Sequence, residues 1–171
     1  MRTTTRAVLP VLAAALMGGG CDAPTEPTEL EVTLTASPDP AIPQASTGVT
    51  YTVDNGDDPD TIVTYPWKTS FTVTLRETGG LAVDITAVNL TVKQAAGGIV
   101  ITPSGGQTEK YQFNSSASGN KLSANGSATV GFEVWYDLPN KGREALITVS
   151  FAFQDEDDNT YSDSIDVRVS P

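Results

Sequence analysis

The sequence predicts an all-β domain, an antiparallel two-sheet sandwich of about seven to nine short strands, and three observations predict it. Thr, Ser, Val and Gly dominate the chain beyond its first thirty residues, a composition that favours strands and turns over helices. Two stretches inside 127–153 alternate strictly. In the first, Val130, Phe132, Val134 and Tyr136 share one face, opposite Thr129, Gly131, Glu133 and Trp135. In the second, Ile147, Val149, Phe151 and Phe153 oppose Leu146, Thr148, Ser150 and Ala152. A period of two gives a pleated strand one face for a core and one for water. Turn residues punctuate the rest at short intervals, and no window carries a helical period.

The strict pair is expected to form the central strands, joined by the polar turn 137–142, whose Pro139, Asn140 and Gly142 suit fixed or positive φ. Upstream, Leu30, Val32, Leu34 and Ala36 mark a first strand, broken by Pro38, Pro40 and Pro43 in a way that suits an edge strand bending between sheets. Val49, Tyr51 and Val53 mark a short strand before the acidic loop 54–60. Segment 62–67 contains Pro66 without clean alternation and is read as irregular or edge. Phe71, Val73 and Leu75 define the next strand, turned at Thr78-Gly79-Gly80. In 81–93 the inward set changes phase, from Leu81, Val83, Ile85 to Val88, Leu90, Val92, which requires a β-bulge around Thr86-Ala87. Residues 99–102 and 109–113 read as short strands, and 114–126 as a long polar loop anchored by Leu122. Tyr161, Ile165, Val167 and Val169 close the domain. Over 30–171 this pattern resembles an immunoglobulin-like or fibronectin-III-like domain, in architecture and not in any short motif; a jelly roll is the alternative.

The first residues read as an address. Met1–Arg6 carries two positive charges and no acid, and residues 7–17 form an apolar run shorter than the roughly 20 residues a spanning helix needs. Small residues Gly18-Gly19-Gly20 then precede Cys21, so 1–20 reads as a secretory signal peptide. The cysteine after that small-residue run resembles the lipobox of bacterial lipoprotein precursors, although Gly18 stands where Leu is usual. The resemblance implies that Cys21 becomes the acylated first residue and membrane anchor of a cell-envelope protein. Gly18 and Gly20 also suit ordinary signal peptidase, which would release a soluble chain. Asp22 favours inner-membrane retention in some lineages and not in others, so the leaflet stays open. Residues 21–29 carry two prolines and three acids with no apolar period, and read as a tether.

Charge and composition restrict function. The formal charge is −11 from 10 basic and 21 acidic residues, and loss of Arg2 and Arg6 with the leader takes it near −13. Such a surface repels phosphates and no basic stripe offsets it, so no nucleic-acid partner is expected. The chain has no histidine, which removes the commonest general base and zinc ligand. Its single cysteine forms no internal disulfide.

Two candidate sites remain. Asp155, Asp157 and Asn159 have the alternate spacing of oxygen ligands around Ca2+. The EF-hand pattern fails at Thr160, where Gly is needed, and on its strand flanks, so only a looser calcium site is in question, with Asp54, Asp57, Asp58 and Asp60 as possible help. The opposing reading is a solvated turn whose acids discourage edge pairing. Trp135, on the face away from Phe132 and Val134, is either covered by another layer or exposed as a binding ring. The functional expectation is a non-catalytic, lipid-anchored envelope module that binds a protein or glycan or acts as a spacer. The alternatives are a calcium-stabilised adhesion module, a protease inhibitor, or an accessory domain of an envelope hydrolase.

Overall fold

The computed structural model describes residues 29–171. Cys21, the signal peptide and all of the tether except Glu29 lie outside the described residues. In chain order the strands are β1 (Val32–Ser37), β2 (Gln44–Ala45), β3 (Thr50–Val53), β4 (Thr61–Thr64), β5 (Trp67–Glu77) and β6 (Val83–Ala96). They continue as β7 (Ile99–Val100), β8 (Lys110–Ala117), β9 (Lys121–Leu122), β10 (Ser127–Asp137), β11 (Ala145–Gln154) and β12 (Thr160–Val169).

Two antiparallel sheets pack face to face. The first runs β1-β5-β10-β8 with β2 also on β5; the second runs β12-β11-β6-β7 with β9 also on β6. If the seven principal strands β1, β5, β6, β8, β10, β11 and β12 are lettered A to G, the sheets read ABED and GFC. That is the order of a constant-type immunoglobulin sandwich.

The alternating faces do what their period requires. Val130, Phe132, Val134 and Tyr136 of β10 are at most 3 % exposed, and Ile147, Val149, Phe151 and Phe153 of β11 at most 1 %. The aromatic rings bridge the layers. Phe71 stacks on Phe132 at 5.2 Å, Phe132 meets Phe151 edge-on at 6.4 Å across the sheets, and Phe151 stacks on Phe153 at 6.3 Å.

The expected bulge is present. Ala152 pairs with Ala87 but Phe153 pairs with Ile85, so Thr86 is the extra residue that returns Val83 and Ile85 to the inward face.

Three connections extend or correct the sequence reading. The strict strands are central, as expected, but in opposite sheets, and the turn 137–142 carries the chain between them. Leu138 is 2 % exposed, Pro139 opens a single 3-10 turn, and the Tyr136 hydroxyl donates to the Arg143 carbonyl at 2.9 Å, pinning the corner. Segment 62–67 is split by Pro66: β4 pairs with β3 as a separate hairpin, and Trp67 already begins β5. The loop expected over 114–126 is partly strand, because β8 follows β10 to Ala117 and β9 pairs with the start of β6. Leu122 is fully buried, as its anchoring role requires.

Truncating Phe132 or Phe151 to Ala removes a ring from the junction between sheets. Each is expected to cost about 3–5 kcal/mol, seen as a lowered urea midpoint with an unchanged slope.

Candidate functional site

The outward face of the first sheet is polar, with Ser, Thr and Asn at its middle and Lys68, Arg76, Lys110 and Trp135 towards its ends, and one position on it lacks a side chain. Gly131 sits in the middle of the central strand β10 and is the one glycine inside a strand among the described residues. It has ordinary extended backbone, so it is there for space and not for an unusual φ. A Cβ at this position would lie 3.0 Å from the Ser116 Oγ, which leans over it.

The register fixes the surroundings. Thr72 and Ser116 flank Gly131 directly, and Ser37 lies abreast of Thr72. One step along, Ser70 and Asn114 flank Glu133. With strands about 4.8 Å apart, the backbones of Thr72 and Ser116 lie about 10 Å from each other; the Ser116 hydroxyl leans into that interval and the Thr72 hydroxyl donates to the Ser37 carbonyl at 3.2 Å. The result is an open trough of about 520 Å³ that includes Ser37, Pro38, Ser70, Thr72, Asn114, Ser116, Gly131 and Glu133. Glu133 is the one charged side chain along it. The large apolar residues that remain exposed, Ile42, Ile62, Ile99, Val100 and Ile101, lie elsewhere.

Trp135 is two residues from Glu133 on the same face but is only 9 % exposed, which supports the covered reading and leaves little ring area for a partner. The β3–β4 hairpin docks at this end of the sheet. Tyr51 donates to Asp137 Oδ2 at 2.5 Å, its ring packs 4.7 Å from that of Tyr65, and Lys110 Nζ sits 4.7 Å above it. Burial, reinforced by the Asp137 hydrogen bond and charge, pushes the Tyr51 hydroxyl up to about 12.

The acidic loop after β11 is organised around Asp155. Its Oδ1 accepts the backbone N–H groups of Asp157 and Asn159, and its Oδ2 accepts the Asn159 side-chain amide and the Tyr161 hydroxyl, each at 2.9 Å. The Asn159 side chain foremost, joined by the Asn159 backbone, Tyr161 and Asp157, holds the Asp155 carboxyl below its ordinary range against the opposing desolvation. Asp155 and Asn159 are brought together, but as acceptor and donor. A calcium ligand set would need Asn159 to present its carbonyl oxygen instead. Among the described residues no three His, Cys, Asp or Glu side chains converge in a way that could hold a metal.

The sequence reading passed over Glu77. Its carboxylate is fully buried at the end of β5. Gly80 N–H and Asn125 N–H donate to Oε2 at 3.0 and 2.6 Å, tying the 78–82 connection and the 123–126 turn to one side chain. Burial pushes this carboxyl up, but the backbone N–H groups of Asn125, Leu81, Gly80 and Gly79 outweigh it and the net shift is downward. The signal was available: Phe71, Val73, Leu75 and Glu77 share one face, so the alternation sends an acid inward just before two glycines. Gly131 had a signal too, a glycine interrupting the outward face of a central strand.

A scan against protein-family models and a search of curated proteins each gave no match. What the arrangement can do is therefore read from its chemistry. The trough offers hydroxyls, an amide and one carboxylate as an acceptor. Glycosidase chemistry uses two carboxylates on either side of a bond, and here a second one does not line the trough.

Two outcomes follow. A folded pKa below the unfolded one means that Glu77 contributes stability above the unfolded value and loses it as pH falls through the folded value. Glu77→Gln is expected to cost about 1.5–3 kcal/mol at neutral pH, and the gap to the parent should close on acidification, as read by urea midpoints across pH. Because Asp155 is engaged by four donors, millimolar calcium is expected to leave Tm unchanged; a rise of several degrees would show that the loop rearranges around the ion.

Proposed function

We propose that this chain is a non-catalytic binding module of the cell envelope, exported by the signal 1–20 and held at a membrane through acylated Cys21. The observation that carries the binding part is the trough over Gly131. A glycine in the centre of a sheet weakens packing and β-propensity, and here the space it leaves is shared by the Ser116 hydroxyl and opens onto exposed polar side chains.

The anchoring part is supported by sequence: a basic start, a short apolar run, three glycines and then the single cysteine of the chain. The acidic, proline-containing stretch up to Glu29 suits a spacer. Eight residues at about 3.1 Å each reach roughly 25 Å when extended, beyond the roughly 8 Å over which charges are felt at physiological salt. An acidic domain on such a spacer stands clear of an anionic leaflet.

Intact-mass analysis of the membrane-extracted protein should find a chain beginning at Cys21 and heavier by its acyl groups. Cys21→Ser should move the protein from the membrane to the soluble exported fraction. An unmodified Cys21 in a membrane-free wild-type protein would end the anchoring proposal.

A further inference from the structure

We propose that the trough over Gly131 is a saccharide site that takes a neutral sugar, one ring of a glycan lying across β5, β10 and β8. The inference rests on reading the trough as a binding surface and adds the class of ligand.

Three features select that class. The first is where recognition groups come from. β10 pairs with both β5 and β8, and β5 pairs with both β1 and β10. The backbone groups of β5 and β10 under the trough are therefore committed to the ladders, whereas β8 pairs with β10 alone. A peptide recognised by strand addition would pair along the outer edge of β8, beside the trough and not on its floor. A ligand here must be read by side chains.

The second is the chemistry of those side chains. Ser116 supplies a hydroxyl over the glycine, Thr72 an oxygen that can still accept while its proton is donated to the Ser37 carbonyl at 3.2 Å, Asn114 an amide, and Glu133 two acceptor oxygens one step along the strand. A free hydroxyl such as that of Ser116 both donates and accepts, and a carboxylate accepts from two neighbouring hydroxyls at once. A polyol with adjacent hydroxyls on a flat ring matches that set. Apolar ligands do not, because such polar groups would lose water without gaining partners.

The third is charge and shape. Glu133 is the sole charged lining group, so phosphate, sulfate and uronate ligands meet a like charge without a compensating cation. The open trough of about 520 Å³ accommodates one sugar ring with its hydroxyls. Gly131 and the Pro38 ring give the trough carbon surface against which the C–H face of such a ring can lie.

The test is an NMR titration of the full chain, isotopically labelled and held in a sugar-free zwitterionic detergent. The probes are cellotetraose, maltotetraose, chitotetraose and tetragalacturonate, added separately. At least one neutral tetrasaccharide should shift the amides of residues 70–72, 114–116 and 131–133, saturating in about the millimolar range expected for an open site.

Gly131→Val, which fills the trough, should weaken that binding at least tenfold. Thr72→Val, which removes one hydroxyl at nearly constant shape, should weaken it several-fold and serves if the valine at 131 disturbs folding. Glu133→Gln should weaken the neutral sugar and improve tetragalacturonate relative to the parent. Neutral sugars that move none of these amides, shifts that map to another face, or binding indifferent to both Gly131→Val and Thr72→Val would overturn the assignment. Lipid on Cys21 has no bearing on those shifts, so the anchoring proposal and the ligand class fail separately.

Discussion

Four phenylalanines set the geometry on which everything else in this domain depends. Phe71 and Phe132 belong to one sheet, Phe151 and Phe153 to the other, and the edge-on contact of Phe132 with Phe151 joins the pairs across the interior. Rings of this size fill the roughly 10 Å between packed sheets only when both sheets present them at matching heights. That requirement fixes the register of β5 on β10 and of β11 on β6. It makes the extra residue at Thr86 necessary, since without it Val83 and Ile85 would face water. Once the inward faces are committed, the outward ones are fixed as well, and Gly131, Glu133, Thr72 and Ser116 must come together on the far side of the same strands.

The residues that point inward were legible in the sequence because alternation is a local property. Val130 through Tyr136 and Ile147 through Phe153 show their faces without reference to any partner, and a phase change betrays a bulge as clearly as a break would. Partnership is not local. Nothing within 127–153 states whether β10 and β11 lie side by side or on opposite layers; that depends on Leu138 and Pro139 being buried and on Tyr136 reaching the Arg143 carbonyl. The same gap hid the full length of β8, whose Asn114 and Ser116 look like loop residues until β10 is placed beside them. The trough was invisible for this reason, since its residues come from four strands that the sequence lists far apart. Glu77 was different, being readable as an inward acid by the rule that found the core.

The two kinds of polar feature in the molecule have separate physical roles. Glu77 and Asp155 turn their oxygens towards their own backbone and stabilise loops at the end of the sandwich where the described chain begins. Their charge is spent on folding. Glu133, Ser70 and Thr72 stand on β10 and β5, each paired on both sides, with their side chains in solvent, so their backbone positions are set by the sheet. Pre-organisation of that kind favours modest but specific recognition by a small number of groups.

The position of Glu29 has a mechanical consequence. A Cβ at Gly79 would lie 1.9 Å from the Glu29 carbonyl oxygen, so the chain enters the domain pressed against the turn after β5 and runs straight into β1. The six residue pairs of β1 with β5, from Val32–Glu77 to Ser37–Thr72, lie along the line of a pull applied at that entry. The trough is at the far end of this ladder, beside Ser37. A load applied between a ligand held there and the start of the chain therefore shears the six pairs together instead of opening them one at a time. For a domain that holds a partner while its own end is restrained, shear is the geometry in which a short ladder resists longest.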